Sequence, residues 1–163
     1  MPVDTRTSIK KDALRRLGRR AMSCAKLRDA LVKRWSEPDT VNEVVAELER
    51  AGLLNDRAFA QEAIRQELRK SPAANRALVR RLKLLGVEES IAREEVELAT
   101  ADRDVRAEAR DFAERRLRAM SPKLTDEAKA RRLSAALARR GFDYDMIREL
   151  TSSLLNAAAH EEF

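Results

Sequence analysis

The amino-acid sequence predicts an all-α fold, and three observations support that prediction. Alanine, leucine, arginine and glutamate dominate the 163 residues, and all four favour helix. Four glycines and four prolines are too few for the many turns of an all-β protein. Apolar residues also recur at three- and four-residue intervals, which is the spacing of one helix face. We therefore expect a succession of amphipathic helices.

The first third of the chain predicts three helices. An apolar stripe containing Ile9 and Leu14 marks the first of them. Ser23 is placed to cap the second, because a serine hydroxyl accepts a bond from an orphan N–H of the first turn. Pro38 suits the first turn of the third helix, where no backbone donor is needed. Gly52 ends that helix, since glycine adopts a left-handed turn at little cost.

The same order of features recurs twice more along the chain. Serine–proline pairs at 71–72 and 121–122 interrupt the helical pattern, because a residue before proline avoids the α region. Gly86 and Gly141 then end the helices that follow. The second helices register as Leu27, Leu78 and Leu133, then Leu31, Leu82 and Leu137, and end at Trp35, Gly86 and Gly141. The first helices are registered by pairs of apolar residues five apart. These pairs are Ile9 and Leu14, Phe59 and Ile64, and Phe112 and Leu117.

A period of about 51 to 55 residues, with one supersecondary unit per period, is typical of a repeat array. We predict three tandem three-helix, helix-turn-helix-like repeats at 1–54, 55–102 and 103–157, followed by a polar tail at 158–163. Arrays of this kind are elongated, because each repeat contacts only its neighbours.

The stretch 52–60, Gly-Leu-Leu-Asn-Asp-Arg-Ala-Phe-Ala, is interpreted as the junction between the first two repeats. Asn55 or Asp56 would cap the next helix, and Leu53, Leu54 and Phe59 would pack between repeats. Aromatic residues are few, and we interpret Phe59, Phe112, Phe142 and Tyr144 as core or inter-repeat residues. Trp35 is interpreted as packing at a helix end rather than as an exposed contact.

Several classes of function find no support in the sequence. Cys24 is the lone cysteine, which excludes an intramolecular disulfide and favours a reducing compartment. His160 has no second histidine or cysteine nearby, so we expect no metal and no cofactor. No phosphate-cradling glycine loop or recognisable acid–base pair is present, so an enzyme is not expected. No apolar run is long enough to span a bilayer, and we expect a cytoplasmic monomer without a membrane partner.

The charge alternates along the chain in a way that suggests a binding surface. Net basic segments are 1–35, 65–83 and 103–141, and net acidic segments are 36–64, 84–102 and 142–163. The candidate residues for binding phosphate or an acidic protein groove are Arg15, Arg16, Arg19, Arg20, Arg76, Arg80, Arg81, Arg131, Arg132, Arg139 and Arg140. The alternative interpretation is a solvated face whose arginines pair with glutamates of neighbouring helices, where each pair contributes only about 0–1 kcal/mol.

Two other classes of protein remain open on these residues. One is a helix-turn-helix DNA-binding regulator, in which the third helix of a unit enters the major groove. The third helices here carry glutamates such as Glu47 and Glu94, which duplex phosphates would repel. The other class is a helical scaffold, which should tolerate charge reversal of Arg139 and Arg140. Contact with single- or double-stranded DNA would lack sequence specificity, because the basic helices carry few asparagines or glutamines to read bases.

Three stretches resemble the RecX family, which regulates the bacterial recombinase RecA. The junction at 52–60 is similar to the family's glycine–aliphatic–Asp–x–x–Phe–Ala motif. Residues 82–87 with Ile91 resemble the family's Leu–x–x–basic–Gly–aliphatic helix end, although Leu85 replaces the basic residue. Residues 131–142 with Ile147 resemble the arginine-rich end of the last family repeat. Trp35-Ser36 stands where many members have a helix-ending glycine, so the chain is identified as a divergent member.

The resemblance implies a curved, modular, all-helical protein of tandem three-helix units. It further implies a non-enzymatic protein that binds RecA filaments in their helical groove and inhibits them. The expected result is lower ATP hydrolysis and strand exchange by the recombinase. The partner expected from the resemblance is therefore the RecA filament.

Overall fold

The computed structural model describes the backbone of residues 4–161 and the side chains of residues 4–157. Within that part of the chain all regular structure is helical, which confirms the predicted all-α class. The described helices are α1 Thr5–Arg19, α2 Cys24–Trp35, α3 Pro38–Arg50, α4 Asp56–Lys70, α5 Asn75–Leu84, α6 Glu89–Thr100, α7 Val105–Arg118, α8 Asp126–Arg139 and α9 Tyr144–Glu161.

The predicted capping residues do cap helix starts, but one of them, Asp56, caps a different helix from the one predicted. Ser23 caps α2 by accepting a bond from the N–H of Lys26, and Pro38 is the first residue of α3. Asn55 caps α4 through the N–H of Ala58, at 3.0 Å. Asp56 instead accepts from the N–H of Cys24 at 2.8 Å, so its carboxylate caps α2 and not its own helix. The junction is thereby tied to the first repeat.

Left-handed backbone ends the helices where the sequence places glycine. Gly52, Gly86 and Gly141 have φ of +71°, +85° and +81°. The first repeat uses Ser36 in this role, with φ of +53°, directly after the last residue of α2. A serine pays a steric cost there that glycine does not.

The second and third helices follow the predicted register. The third helices begin at Pro38, Glu89 and Tyr144, which are registered positions of the three repeats. Six registered leucines of the second helices are almost completely buried: Leu27, Leu31, Leu78, Leu82, Leu133 and Leu137. This recurrence is what tandem three-helix repeats require.

The first helices have a different register from the predicted one. Their buried residues form pairs four apart, namely Ile9 and Ala13, Ala60 and Ile64, and Ala109 and Ala113. Leu14 is 40% exposed, so the predicted five-residue spacing is wrong. Four of these six positions are alanine, whereas the predicted register relied on bulkier neighbours such as Leu14, Phe59 and Leu117. Leu53 is likewise exposed, and Leu54 alone of the two junction leucines is buried.

Contacts between Cα atoms divide the chain into two compact units. Unit 1 contains the residues up to Ile64 together with Val79–Ala99. Unit 2 contains Arg65–Leu78 together with the chain from Thr100 onward. The division runs through α4 and α5, so the middle repeat contributes helical segments to both units. The boundaries of the three sequence repeats stay a prediction.

Unit 1 has an aliphatic core in which α1, α2 and α3 pack together. Leu31, Val44 and Leu48 are among its most buried side chains, and Trp35 covers part of it from the end of α2. Cys24 lies in the same core. Burial raises the pKa of the Cys24 thiol, and a hydrogen bond to Glu49 raises it further. The thiol therefore stays protonated and unreactive at neutral pH.

Unit 2 has a core formed by α7, α8 and α9. Phe142 is fully buried there, and Phe112 packs against the cluster from its edge, in agreement with the sequence. Tyr144 is different, since 75% of its surface is exposed. The prediction that Tyr144 is a core or inter-repeat residue is therefore wrong. Its position as the first residue of α9 places the ring outside the core.

The same contact between second helices occurs once in each unit, and we call it the helix-end joint. In unit 1 the hydroxyl of Ser23, before α2, donates to the carbonyl of Leu85, after α5, at 2.7 Å. In unit 2 the backbone N–H of Ala74, before α5, donates to the carbonyl of Arg140, after α8, at 3.0 Å. The donors are registered positions of consecutive repeats, and so are the acceptors. The end of one second helix thus meets the start of the preceding one.

The left-handed glycines make the helix-end joint possible. A Cβ on Gly86 would lie 2.6 Å from the hydroxyl oxygen of Ser23. A Cβ on Gly141 would lie 2.6 Å from the Cβ of Ala77. Gly52 has the same conformation with no atom within 4 Å of such a Cβ. Glycine is therefore required at 86 and 141 for space as well as for backbone conformation.

We predict that Gly141→Ala lowers the free energy of unfolding by about 2–4 kcal/mol, because left-handed strain and overpacking add together. The matched variant Gly52→Ala introduces only the strain and should lose about 1 kcal/mol. Gly18→Ala lies within α1 in open space and should gain roughly 0.5–1 kcal/mol. Thermal unfolding followed by circular dichroism measures all three. Equal melting temperatures for Gly141→Ala and Gly52→Ala would contradict the importance of the joint.

Candidate functional site

Two of the predicted arginines surround a buried carboxylate. Asp12 is only 5% exposed, and its carboxylate receives Arg15 at 2.6 Å and Arg16 at 3.3 Å. Arg34 lies 3.4 Å away, and the indole N–H of Trp35 donates to the same carboxylate at 3.2 Å. The charges of Arg15 and Arg16 are therefore partly neutralised within unit 1.

The pKa of Asp12 reflects this arrangement. Burial alone would raise the pKa, but hydrogen bonds from Arg15 and Trp35 and the charge of Arg16 outweigh it and hold the pKa below its ordinary value of 3.8. The sequence contained a signal that was missed. Asp12 is an isolated acid on a basic helix, three and four residues before two arginines, which is the spacing of helical ion pairs.

The basic residues near the end of α1 border an open groove, which we call the unit 1 groove. Its volume is about 510 Å³. Arg20, Lys26 and Lys33 supply positive charge along its lining, and Asp29 is the acid among them. Its other lining residues include Met22, Ala30, Phe59 and Leu85. Among the described residues, none lies within ion-pair distance of the three cations. Arg19 is exposed nearby in sequence and also lacks a described ion pair.

Unit 2 contains a smaller and more strongly basic groove, the unit 2 groove, of about 420 Å³. Arg116 from α7 and Arg132 and Arg139 from α8 line it. Ala119, Met120, Ser121 and Ala135 complete the lining, which contains no carboxylate. None of these three arginines forms an ion pair with a residue that the structure describes. Arg132 and Arg139 were predicted, and Arg116 was not.

The two grooves use registered positions of the first and third repeats. Lys26 corresponds to Arg132, and Lys33 corresponds to Arg139, in the register set by the buried leucines. Residues seven apart lie on one face of a helix, two turns from each other. The middle repeat has Ala77 and Leu84 at these positions and therefore lacks this pair. The register thus offered a signal for Lys26 and Lys33, which the prediction did not include.

The remaining predicted arginines divide into two groups. Arg76 donates to the carbonyls of Gly141 and Phe142, and Arg140 lies 3.4 Å from Glu67. Arg76 therefore strengthens the helix-end joint of unit 2, and Arg140 ties the residue after α8 to α4. The other group is exposed, without a described ion pair, and contains Arg80, Arg81 and Arg131.

The acidic third helices provide partners for the first helices in unit 1. Arg6 bonds Glu47 of α3 at 2.7 Å, and Lys10 bonds the same carboxylate. Arg57 of α4 bridges Glu94 and Glu95 of α6 at 2.7 and 2.8 Å. The alternative interpretation of the charge pattern, pairing between helices, therefore holds for these residues. It does not account for the cations that line the two grooves.

Other kinds of site find no geometric support in the described part of the chain. Between residues 4 and 157, no three histidine, cysteine, aspartate or glutamate side chains converge as metal ligands would. Among the described helices, none is sufficiently long and apolar to span a bilayer.

Comparison with known proteins places the chain in a family. Residues 104–150 match the family description of the third three-helix domain of RecX. The regulatory protein RecX of Corynebacterium efficiens is 34% identical over 157 residues, covering 94% of this chain and 74% of the relative. The chain belongs to the RecX family. The regulatory protein RecX of Streptomyces lividans is 37% identical over 123 residues, covering 74% of this chain but only 63% of that relative's length.

A solved structure has the same fold. The crystal structure of RecX from Lactobacillus salivarius superimposes with a TM-score of 0.73 over 93% of this chain and 97% of that one. The sequence identity is 21%, so this likeness concerns the fold. It supports tandem three-helix repeats as the architecture of a RecX chain. The third RecX domain matched here contains every residue that lines the unit 2 groove.

We predict that Asp12→Asn lowers the free energy of unfolding at neutral pH by about 1–3 kcal/mol, because it weakens charge-assisted bonds at a buried group. The folded pKa of Asp12 is lowered, so its contribution is complete above the ordinary value of 3.8 and is lost as pH falls through the folded value. Thermal unfolding as a function of pH should therefore show an acid-dependent loss in the natural protein that shrinks in the variant.

Asp29→Asn is the control for this measurement, since Asp29 is exposed and has no described ion pair. The free energy of unfolding of this variant should lie within about 0.5 kcal/mol of that of the natural protein. If Asp12→Asn and Asp29→Asn had the same pH dependence, the cluster around Asp12 would not stabilise the fold.

Proposed function

We propose that this protein is a non-enzymatic modulator of the RecA recombinase. It binds in the groove of RecA–DNA filaments and lowers their ATP hydrolysis and strand exchange. The observation that carries the proposal is membership of the RecX family over nearly the whole chain, with 94% of it aligned to one regulatory relative. The protein inhibits by binding to the filament and not by catalysis. It works as a cytoplasmic monomer and needs no cofactor.

The charge of the two grooves supports a polyanionic partner. The unit 1 groove contributes Arg20, Lys26 and Lys33, and the unit 2 groove contributes three arginines without a neighbouring carboxylate. Cations left unpaired at a concave surface attract nucleic acid and acidic protein surfaces, which a nucleoprotein filament presents together. The residues proposed to contact the partner are therefore the cations that line the two grooves. Four exposed arginines without a described ion pair are added to them: Arg19, Arg80, Arg81 and Arg131.

The geometry weighs against the helix-turn-helix alternative. That mode of binding would bring the third helix of a repeat into the major groove of duplex DNA. In unit 1 the third helices carry Glu47, Glu94 and Glu95, which already pair with first-helix cations. Insertion between duplex phosphates would either break these pairs or bring carboxylates against phosphates.

The proposal is tested with RecA of the same organism assembled on single-stranded DNA. Adding the protein should reduce the rate of ATP hydrolysis in proportion to the amount bound. The double variant Arg132→Ala/Arg139→Ala should need about tenfold more protein for half-maximal inhibition, because each lost contact of an exposed charge contributes roughly 0.2–1 kcal/mol.

A matched control removes two arginines that lie outside the groove on α7. Arg110 and Arg118 both pair with Glu114, and Arg110→Ala/Arg118→Ala changes the net charge by the same amount. This variant should inhibit within about twofold of the natural protein. If ATP hydrolysis stayed unchanged at saturating natural protein, the proposed function would be refuted.

A further inference from the structure

Tyr144 is an exposed aromatic residue that the fold does not require. It is the first residue of α9, and 75% of its surface is accessible. The registered positions in the other repeats, which also begin third helices, are Pro38 and Glu89. Neither is aromatic, so the start of a third helix in this architecture does not call for a ring. An aromatic side chain that contributes little to a core is available for binding.

The ring of Tyr144 is held beside a second groove of unit 2. The guanidinium carbon of Arg148, one turn further along α9, lies 5.9 Å from the ring centroid, in cation–π geometry. Tyr144 and Arg148 line this groove of about 420 Å³ together with Ala135, Ala138 and Ile147. Ala135 also lines the unit 2 groove. The unit 2 groove, lined by arginines, and this second groove, lined by Tyr144, therefore adjoin at Ala135 of α8. They are called the arginine-lined groove and the tyrosine-lined groove below.

The two grooves differ in chemistry. The arginine-lined groove has three guanidinium groups and small neighbours, and no carboxylate, which suits phosphodiester groups that approach closely. The tyrosine-lined groove has one charged residue in its lining, Arg148, which already pairs with Asp145 at 3.5 Å and lies over the Tyr144 ring. A phosphate beside the ring would compete with Asp145 for Arg148, whereas an uncharged base would not. Phosphate and base would therefore bind on adjoining faces of α8, one on each side of Ala135.

We propose that unit 2 binds single-stranded nucleic acid directly, with backbone phosphates on Arg116, Arg132 and Arg139 and an unpaired base stacked on Tyr144. Positive grooves combined with stacking aromatics are the usual means of binding single strands without reading sequence. A duplex offers the phosphates but not the base, because its bases are already stacked between their neighbours. This inference rests on the proposed function, because it names the ligand of the unit 2 groove. The binding itself does not require the recombinase.

The experiment measures binding of the full chain to a fluorescent oligothymidylate by anisotropy, without RecA, beside a duplex of equal length. The single strand should bind more tightly than the duplex. Tyr144→Ala should weaken single-strand binding by about fivefold or more while leaving duplex binding within about twofold, given the usual contribution of one stacked base. Tyr144→Phe keeps the ring and should retain single-strand binding. Both variants change an exposed side chain, and circular dichroism verifies that they fold.

The arginine contribution is tested through the dependence of affinity on salt. Arg132→Ala should reduce the slope of log K against log salt concentration by about 0.7, as expected for one phosphate contact on a single strand. Arg115→Ala is the matched control, since Arg115 is exposed on α7, carries the same charge and lines neither groove of unit 2. An equal loss of affinity in both variants would indicate general attraction by net charge and would overturn the assigned site.

Two further outcomes would overturn the inference. One is a Tyr144→Ala variant that binds single strands as well as the natural protein does. The other is displacement of the oligonucleotide by polyglutamate at equal charge concentration, which would assign the arginines to an acidic protein segment. The proposed function is judged separately. Inhibition of RecA without oligonucleotide binding would refute only this inference, and oligonucleotide binding without inhibition of RecA would refute only the proposed function.

Discussion

A carbonyl at the end of one second helix bonds to a donor at the start of the second helix before it, and both compact units contain this contact. The bond forms because a left-handed glycine turns the chain away from the helix axis without a side chain in the way. Gly86 and Gly141 meet that need. The repeated leucines are buried in helices that this contact places, and the grooves flank the same helices. Stability and binding surface therefore depend on one recurring piece of backbone geometry.

The helical class and the capping residues could be predicted because they are local. Helix propensity, the serine before α2 and the glycines after α5 and α8 act within a few residues of themselves. The register of the second helices was also predictable, since Leu27 and its counterparts recur with the helical period. The first helices were registered incorrectly because four of their six buried positions are alanine, and the register relied on larger apolar residues instead. Which apolar residues of a helix face the core depends on tertiary packing, which single positions do not reveal.

The positive charge of the candidate site could be predicted from the sequence, but the residues that line it could not. A basic surface on the second helices follows from the sequence, and Arg132 and Arg139 do line a groove. Which arginines remain unpaired depends on partners distant in the chain, such as Glu67 for Arg140, and no local pattern contains them. Arg116 joins the groove only because α7 packs beside α8. Tyr144 was predicted to be a core or inter-repeat residue, whereas its place at the start of α9 puts the ring outside the core.

The two versions of the helix-end joint differ in which atom donates, and this difference has an evolutionary consequence. In unit 1 the donor is the side-chain hydroxyl of Ser23, so most substitutions at that codon remove the bond. In unit 2 the donor is the main-chain N–H of Ala74, which every amino acid except proline retains. Side-chain changes at position 74 therefore leave this bond in place, although Ala74 also packs against the unit 2 core, whereas most changes at position 23 remove the bond. The same architectural contact is thus vulnerable to mutation in one half of the molecule and largely protected in the other.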